Sequence, residues 1–383
     1  MSLQLTVAPE DDRWADSRWR SRLRSQLIAW YSQAARDLPW RSDCTPYRVW
    51  VSEIMCQQTQ VATVVPYFER FVHRYPSVRA LAESDSDELM RLWEGLGYYR
   101  RARGLRDAAR VIVEKHGGVF PMAFDDVLAL PGIGRYTAGA ILSIADNQRH
   151  PILEGNTYRV FSRWVGLRAP VDQKPTQDFL WHFSETMLPR SVSNDAKGPA
   201  TFNQAAMELG ALVCSPNQPD CEACPVSRSC VARLRGWQNE LPIKLGKTKY
   251  ESRTEFAAVI RNQDGDLLLR RIPEGERFAG LWDVPRAGPP HAIDGPSFES
   301  WVASATGLAV DLGVRLKTIK HAVTKYRMTL HVHQFHARTP METTGEGWQW
   351  VSADQWECMA LSVTGRKIVH LLRDRQAQSL LPM

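Results

Sequence analysis

From Trp19 to Leu234 apolar residues recur every three or four positions, and stretches such as Val49 to Met55 and Gln60 to Tyr75 are separated by Pro, Gly and Asp-Ser clusters. That period lays apolar side chains along one stripe of a helix, so it predicts an all-α region. Around Gly236 to Ser252 the chain turns polar and gathers Lys244, Lys247 and Lys249, the composition of a surface linker. Beyond it the period shortens: Glu255 to Ile260, Leu267 to Leu269 and Leu330 to Phe335 read as strands, Asn262-Gln263-Asp264-Gly265 as a hairpin turn and Phe298 to Ala305 as a helix. The expected organisation is an all-α region over 1–235, a linker over 236–252 and an α/β domain over 253–383, without internal repeats.

With 383 residues the chain is long enough for more than one core. No window approaches the roughly 18 unbroken apolar residues of a membrane span. Near the start, Asp11 and Asp12 adjoin Arg13 without an apolar signal core, so a reducing, cytoplasmic compartment is expected. The formal net charge of +6 suits a polyanionic partner. Its distribution is more telling, because Arg100, Arg101, Arg103, Arg106 and Arg110 follow the Tyr98-Tyr99 pair. Phosphate-seeking charge beside rings that stack suits nucleic acid, although a solvated basic helix face explains the same residues.

Four of the seven cysteines, Cys214, Cys221, Cys224 and Cys230, fall in one short segment, while Cys44, Cys56 and Cys358 are scattered. Disulfides do not persist in a reducing cell, so the group calls for a metal. Zinc and a 4Fe-4S cluster can both be held by four thiolates. The spacing lacks the paired C-x2-C knuckles of most zinc sites and favours a 4Fe-4S cluster wrapped by one loop. Such a group would shape the loop for DNA rather than turn over electrons.

The run Leu130-Pro131-Gly132-Ile133-Gly134-Arg135-Tyr136-Thr137-Ala138 reads as a helix end, a tight turn and a new helix start. Gly132 and Gly134 let backbone N–H groups approach a phosphate, and the helix start adds positive partial charge. Alone, this pattern also fits a purely structural hairpin. Together with the cysteine loop, the sequence resembles the helix-hairpin-helix DNA glycosylase superfamily and, within it, the MutY-type adenine glycosylases. The resemblance runs from about residue 19 to 370 through Leu38-Pro39-Trp40, Trp50-Val51-Ser52-Glu53, Gln57-Gln58-Thr59-Gln60-Val61, Gly95-Leu96-Gly97-Tyr98-Tyr99, Phe202-Asn203-Gln204 and the four cysteines. It implies two helical lobes with a 4Fe-4S cluster on one of them and a Nudix-like C-terminal domain. The implied substrate is double-stranded DNA with adenine opposite 8-oxoguanine or guanine. A monomeric, nucleoid-associated enzyme of bacterial type is expected. After Gly280-Leu281-Trp282 no Arg-Glu with a following Glu-Glu pair is present to hold Mg²⁺, so the C-terminal domain is expected to read DNA and not to hydrolyse pyrophosphate.

Breaking an N-glycosidic bond to adenine requires that the departing base be protonated and the sugar's positive charge be stabilised, for which two carboxyl groups suffice. Glu53 sits among Trp50, Ile54 and Met55, surroundings that raise a carboxyl pKa, and it falls on the family's adenine-protonating glutamate. The second acid is Glu154, in Ile152-Leu153-Glu154-Gly155-Asn156, where the family has Asp. On an unchanged backbone its extra methylene displaces the carboxylate by about 1.5 Å, and a misplacement of about 1 Å can slow a reaction roughly 10²-fold. Glu154 also reads as a cap on the following helix. Tyr136 and Asn156 match positions around the reacting sugar. Strand-nicking relatives carry Lys where this chain has Tyr136, so hydrolysis without a Schiff base is implied. The resemblance brings Arg36, Trp40, Arg41 and Glu208 to the adenine pocket, and Gln58 and Tyr98 to the gap left when the base flips out.

The family's Phe-Ser-His turn, which contacts 8-oxoguanine, aligns with Val323-Thr324-Lys325. Thr324 keeps a hydroxyl and Lys325 offers a less specific phosphate contact, so relaxed discrimination is expected. Two rival readings stay open. Glu154 allows a lesion-binding protein with reduced or lost catalysis, and Cys56, where the family has Leu, allows an altered base preference.

Overall fold

A computed structural model describes residues 7–190, 198–246, 250–288, 295–323, 325–337 and 347–379. The chain divides into two compact units, one of Met1–Glu83 with Arg103–Lys247 and one of Ser84–Ala102 with Thr248–Met383.

The first unit is helical. Its central helix, Pro46–Cys56, starts with Pro46 in its first turn and Thr45 accepting from the Arg48 N–H, both favourable where backbone donors lack helical partners. Tyr47 and Val49 through Met55 are all buried, Ser52 and Glu53 among them, so the helix is enclosed by its neighbours on most sides. It packs on the helix Arg135–Asp146, whose residues Thr137 to Ser143 are also buried. A second core joins Trp19, Leu23 and Leu27 with Phe161, Trp164, Phe179, Phe183, Phe202 and Leu209. These belong to the helices Ser17–Ala34, Gly155–Val165, Lys174–Met187 and Pro199–Leu212.

In the second unit the described strands are β1 (Glu251–Arg261), β2 (Leu267–Arg271), β3 (Trp282–Asp283), β4 (Arg286–Ala287), β5 (Val310–Val323), β6 (Tyr326–Ala337) and β7 (Trp348–Val351). They form a sheet of order β3-β2-β1-β6-β5, with β4 pairing β1 and β7 pairing β2. Among these pairings, β1–β6 is parallel and the rest are antiparallel. Both faces of β1 are covered. Ala257 and Val259 join Ile368, Val369 and Leu372 of the helix Val363–Ser379, while Ala258 and Ile260 join Phe298 and Val302 of the helix Gly295–Thr306.

Two boundaries differ from the sequence pattern. Of residues 236–252, the described ones before 247 are held to the first unit and not free: Leu241 is buried, the Val171 N–H donates to Ile243 O at 2.9 Å and the Leu245 N–H donates to Asp172 at 3.2 Å, and β1 already begins at Glu251. Ser84–Ala102, inside the span 1–235, clusters with the second unit. Its partners are hundreds of residues away, where periodicity carries no information.

Candidate active site

Glu53 is carried into the interior of the first unit by its buried helix and is 8% exposed. The Tyr136 hydroxyl, from the first turn of the packed helix, donates to Glu53 Oε2 at 2.7 Å. Burial pushes the Glu53 carboxyl up to about 7. Tyr136 and the charge of Arg41 oppose that rise, and the charge of Glu154 adds to it. Tyr136 is itself held neutral, first by burial and then by the carboxylates beside it.

Glu154 is half-buried at the start of the helix Gly155–Val165. Its Oε2 accepts from the Asn156 N–H at 2.9 Å and its Oε1 from the Thr157 N–H at 3.1 Å. Thr157 Oγ1 in turn accepts from the Glu154 N–H at 2.7 Å. This reciprocal cap satisfies donors a helix start leaves open. The Glu154 carboxylate is therefore turned onto the start of its own helix. Burial raises its pKa, while the two backbone N–H groups, Arg159 and Asn156 hold it down. Asn156 Oδ1 accepts from Arg159 Nη2 at 2.8 Å, and the same guanidinium donates to Cys214 O and Gly210 O at 2.6 and 2.7 Å. A Cβ on Gly210 would stand 2.7 Å from Asn156 Cβ, so glycine is what lets the two helices approach here.

The residues assigned to the adenine pocket form a charged knot. Glu208 Oε1 accepts from the Arg36 N–H, Arg36 Nε and Arg41 Nη1 at 2.9, 2.8 and 3.2 Å, and its Oε2 accepts from Arg36 Nη2 and Arg41 Nη2 at 2.8 Å each. Burial pushes the Glu208 carboxyl up, but these two guanidinium groups outweigh it and bring it to about 2. Its acceptor capacity is filled by these two arginines. Trp40 is buried edge-on against Phe68 at 5.1 Å. Cys56, half-buried at the end of the Glu53 helix, lies within electrostatic reach of Tyr136 and Arg36.

Gly132 has φ +77, a conformation that strains any other residue, and Gly134 opens the helix Arg135–Asp146 with no side-chain cap. That leaves the helix-start N–H groups without a side-chain acceptor, as an anion site requires. Gln58 and Tyr98 are exposed, and both hold left-handed backbone, with φ of +58 and +47. The other non-glycines with positive φ, among the described residues, are Asn147, Gln218 and Phe278. Of the basic run, Arg101 is buried and donates to Leu96 O and Gly97 O, a structural use the composition did not reveal.

The four cysteines lie together on a loop between Pro199–Leu212 and Val231–Arg235. Burial pushes the thiols of Cys221, Cys224 and Cys230 up, the last two to about 12, and their charges would repel one another and that of Cys214. Arg163 Nη1 donates to Cys214 Sγ at 3.2 Å. Thiols that disfavour one another's ionisation, two of them buried and two half-buried, suit a cationic group that draws them into thiolates. Among the described residues no three His, Cys, Asp or Glu side chains converge on a single ion, which a broader iron–sulfur core does not require. Thr324 lies outside the described residues. Its neighbour Lys325 donates to Glu251 Oε1 at 2.7 Å, so it is already partnered.

Comparison with known proteins places the chain in a family. A model of the HhH-GPD superfamily of base excision DNA repair proteins matches residues 51–185, and a NUDIX domain model matches residues 256–371. The adenine DNA glycosylase of Buchnera aphidicola subsp. Acyrthosiphon pisum (strain APS) is 37% identical over 264 residues, 68% of this chain and 73% of that protein. A solved structure of a thermostable thymine-DNA glycosylase superposes with a TM-score of 0.50 at 25% identity, covering 57% of this chain and 98% of that one. The adenine DNA glycosylase of Mus musculus is 31% identical across 98% of this chain and 82% of its own length, and with that extent of likeness the chain belongs to the MutY-type family of adenine DNA glycosylases.

Proposed function

We propose that this adenine glycosylase acts on adenine opposite 8-oxoguanine or guanine, with Glu53 protonating the flipped base and Glu154 stabilising the sugar cation. The observation that carries the reading is the unequal acid pair. A carboxyl held near 7 stands within electrostatic reach of a second one cradled by helix-start N–H groups.

Glu53 keeps its proton near neutral pH and gives it to the base as the glycosidic bond lengthens. Tyr136 fixes which oxygen faces the base by donating to Oε2. The Glu154 carboxylate, anchored by Asn156 and Thr157, offers negative charge to the oxocarbenium-like sugar. Water then completes hydrolysis, since Tyr136 has no amine for a Schiff base. Arg36 and Arg41, locked on Glu208, hold the rim of the pocket, while Gln58 and Tyr98 fill the vacated stack. Cys214, Cys221, Cys224 and Cys230 would hold a 4Fe-4S cluster, which when bound supplies a rigid template for this loop.

Single-turnover assays on duplexes holding A opposite 8-oxoguanine, A opposite G and T opposite G test the reading. Release of adenine from the first two and no release of thymine is expected. Tight binding without adenine release favours the lesion-binding alternative, and thymine release an altered base preference. Metal analysis is expected to find iron; stoichiometric zinc without iron rejects the cluster.

A further inference from the structure

Ser84–Ala102 departs from the helical unit and joins the Nudix-like one, and one arginine dominates the junction. Arg366, in the helix Val363–Ser379, donates from Nε to Glu94 Oε1 at 2.7 Å and from Nη2 to Glu94 Oε2 at 2.8 Å. The two side chains are 15% and 16% exposed. Its remaining N–H groups reach Trp356 O and Met359 O at 2.8 Å each and Glu357 Oε2 at 3.3 Å, so all five donors are occupied. Arg271 of β2 adds a bond to Asp87 at 2.6 Å, and the Tyr99 ring meets Phe278 edge-on at 6.4 Å.

What this junction holds is a strained turn. Gly95, Gly97 and Tyr98 all have positive φ, at +100, +70 and +47. Trp93 Nε1 donates to Gly97 O at 3.1 Å, and the Arg101 guanidinium lies 5.4 and 5.7 Å from the Trp93 and Tyr98 ring centres. The Tyr98 ring is nevertheless 39% exposed. An aromatic ring in unfavourable backbone, braced from beneath and left open above, is an arrangement that surrounding structure must enforce.

We infer that Arg366 and Glu94 are positioning residues for base flipping: by fixing the Gly95-to-Tyr99 turn on the Nudix-like domain, they hold the Tyr98 ring in the pose from which it enters the DNA stack. Bidentate arginine–carboxylate pairs fix orientation as well as distance, and a ring ordered in advance spends less of its binding on ordering itself. The inference rests on the reading that Tyr98 fills the gap left by the flipped base. A pair this shielded from water can also be neutral for stability, so the test must read coupling to Tyr98.

The full-length protein and its Glu94→Gln, Tyr98→Ala and double variants are mixed with a duplex carrying 2-aminopurine at the adenine position opposite 8-oxoguanine, and the fluorescence rise on unstacking is followed by stopped flow. Glu94→Gln keeps the size of the side chain and leaves Arg366 its backbone carbonyls. It is expected to lower the flipped fraction by about threefold or more, the lower range of coupling within one network, with no further loss in the Tyr98→Ala background. Arg366→Lys, which cannot form the paired bonds, is expected to behave like Glu94→Gln. Equal losses in both backgrounds, or no loss with Glu94→Gln while Tyr98→Ala is impaired, overturn the inference. If Tyr98→Ala itself flips normally, the gap-filling reading fails and the inference falls with it.

Discussion

The interior of the Pro46–Cys56 helix and the first turn of the Gly155–Val165 helix each hold a glutamate, and the two environments treat them differently. Burial raises both carboxyl groups. At Glu53 the opposition is thin, consisting of one hydroxyl from Tyr136 and the charge of Arg41, with Glu154 pushing further upward. At Glu154 two backbone N–H groups, Asn156 and Arg159 resist the rise. The proposed division of labour, Glu53 as proton donor and Glu154 as fixed charge, rests on that difference in surroundings. Residue type does not assign the acid and the electrostatic partner; solvation and local donors do.

The contrast is broken most severely by Glu53→Gln, which keeps the shape and removes the transferable proton. Excision in a single-turnover assay is expected to fall about 10³-fold or more, near the upper range for a lost general acid, with duplex binding retained. A variant keeping most of its rate would remove Glu53 from the chemistry. Glu154→Gln comes next: it preserves an oxygen for the cap but abolishes the charge, for an expected loss of about 10²-fold. Parent-like turnover would mean that Glu154 is a cap alone.

Smaller changes sharpen the contrast. Because Glu53 acts protonated and its pKa lies at about 7, excision is expected to decline as pH rises through that value. The Tyr136 hydroxyl favours the ionised carboxylate, so Tyr136→Phe raises the Glu53 pKa and is expected to move the declining limb upward by about one pH unit, the worth of one hydrogen bond to a charged group. A limb that stays put or moves downward contradicts the assignment. The smallest effect is expected of Glu154→Asp. Since Glu154 has folded onto its helix, the shorter acid caps the same turn, and the excision rate should change by about threefold or less. A tenfold gain would show that the curled side chain misplaces its charge after all.

Much of this is legible in the chain. The apolar residues around Glu53 announce a buried acid, and Gly132 announces a tight turn. The cap at Glu154 is readable, but its partner Thr157 is not, because Glu-x-x-Thr inverts the familiar order of a capping box. Glu208 belongs to the pocket by resemblance, yet only coordinates show its oxygens consumed by Arg36 and Arg41. The buried role of Arg101 is hidden within a run of arginines that reads as a solvated face. The different affiliation of Ser84–Ala102 has the same root as these: local pattern reports which face of an element is buried, and not which distant residue covers it.

The Glu94–Arg366 pair also bears on how the protein is made. Asp87 waits 184 residues for Arg271, and Glu94 waits 272 for Arg366. During synthesis at about 5–20 residues per second, the segment leaves the ribosome many seconds before either partner. Its acids remain solvated meanwhile, and closing so long a loop is delayed chiefly by the time needed to build the partner, since the entropy of closure grows only slowly with length. The nascent chain thus carries one early stretch that it cannot finish until the end, and a ribosome that stalls before residue 366 leaves Tyr98 without its anchor.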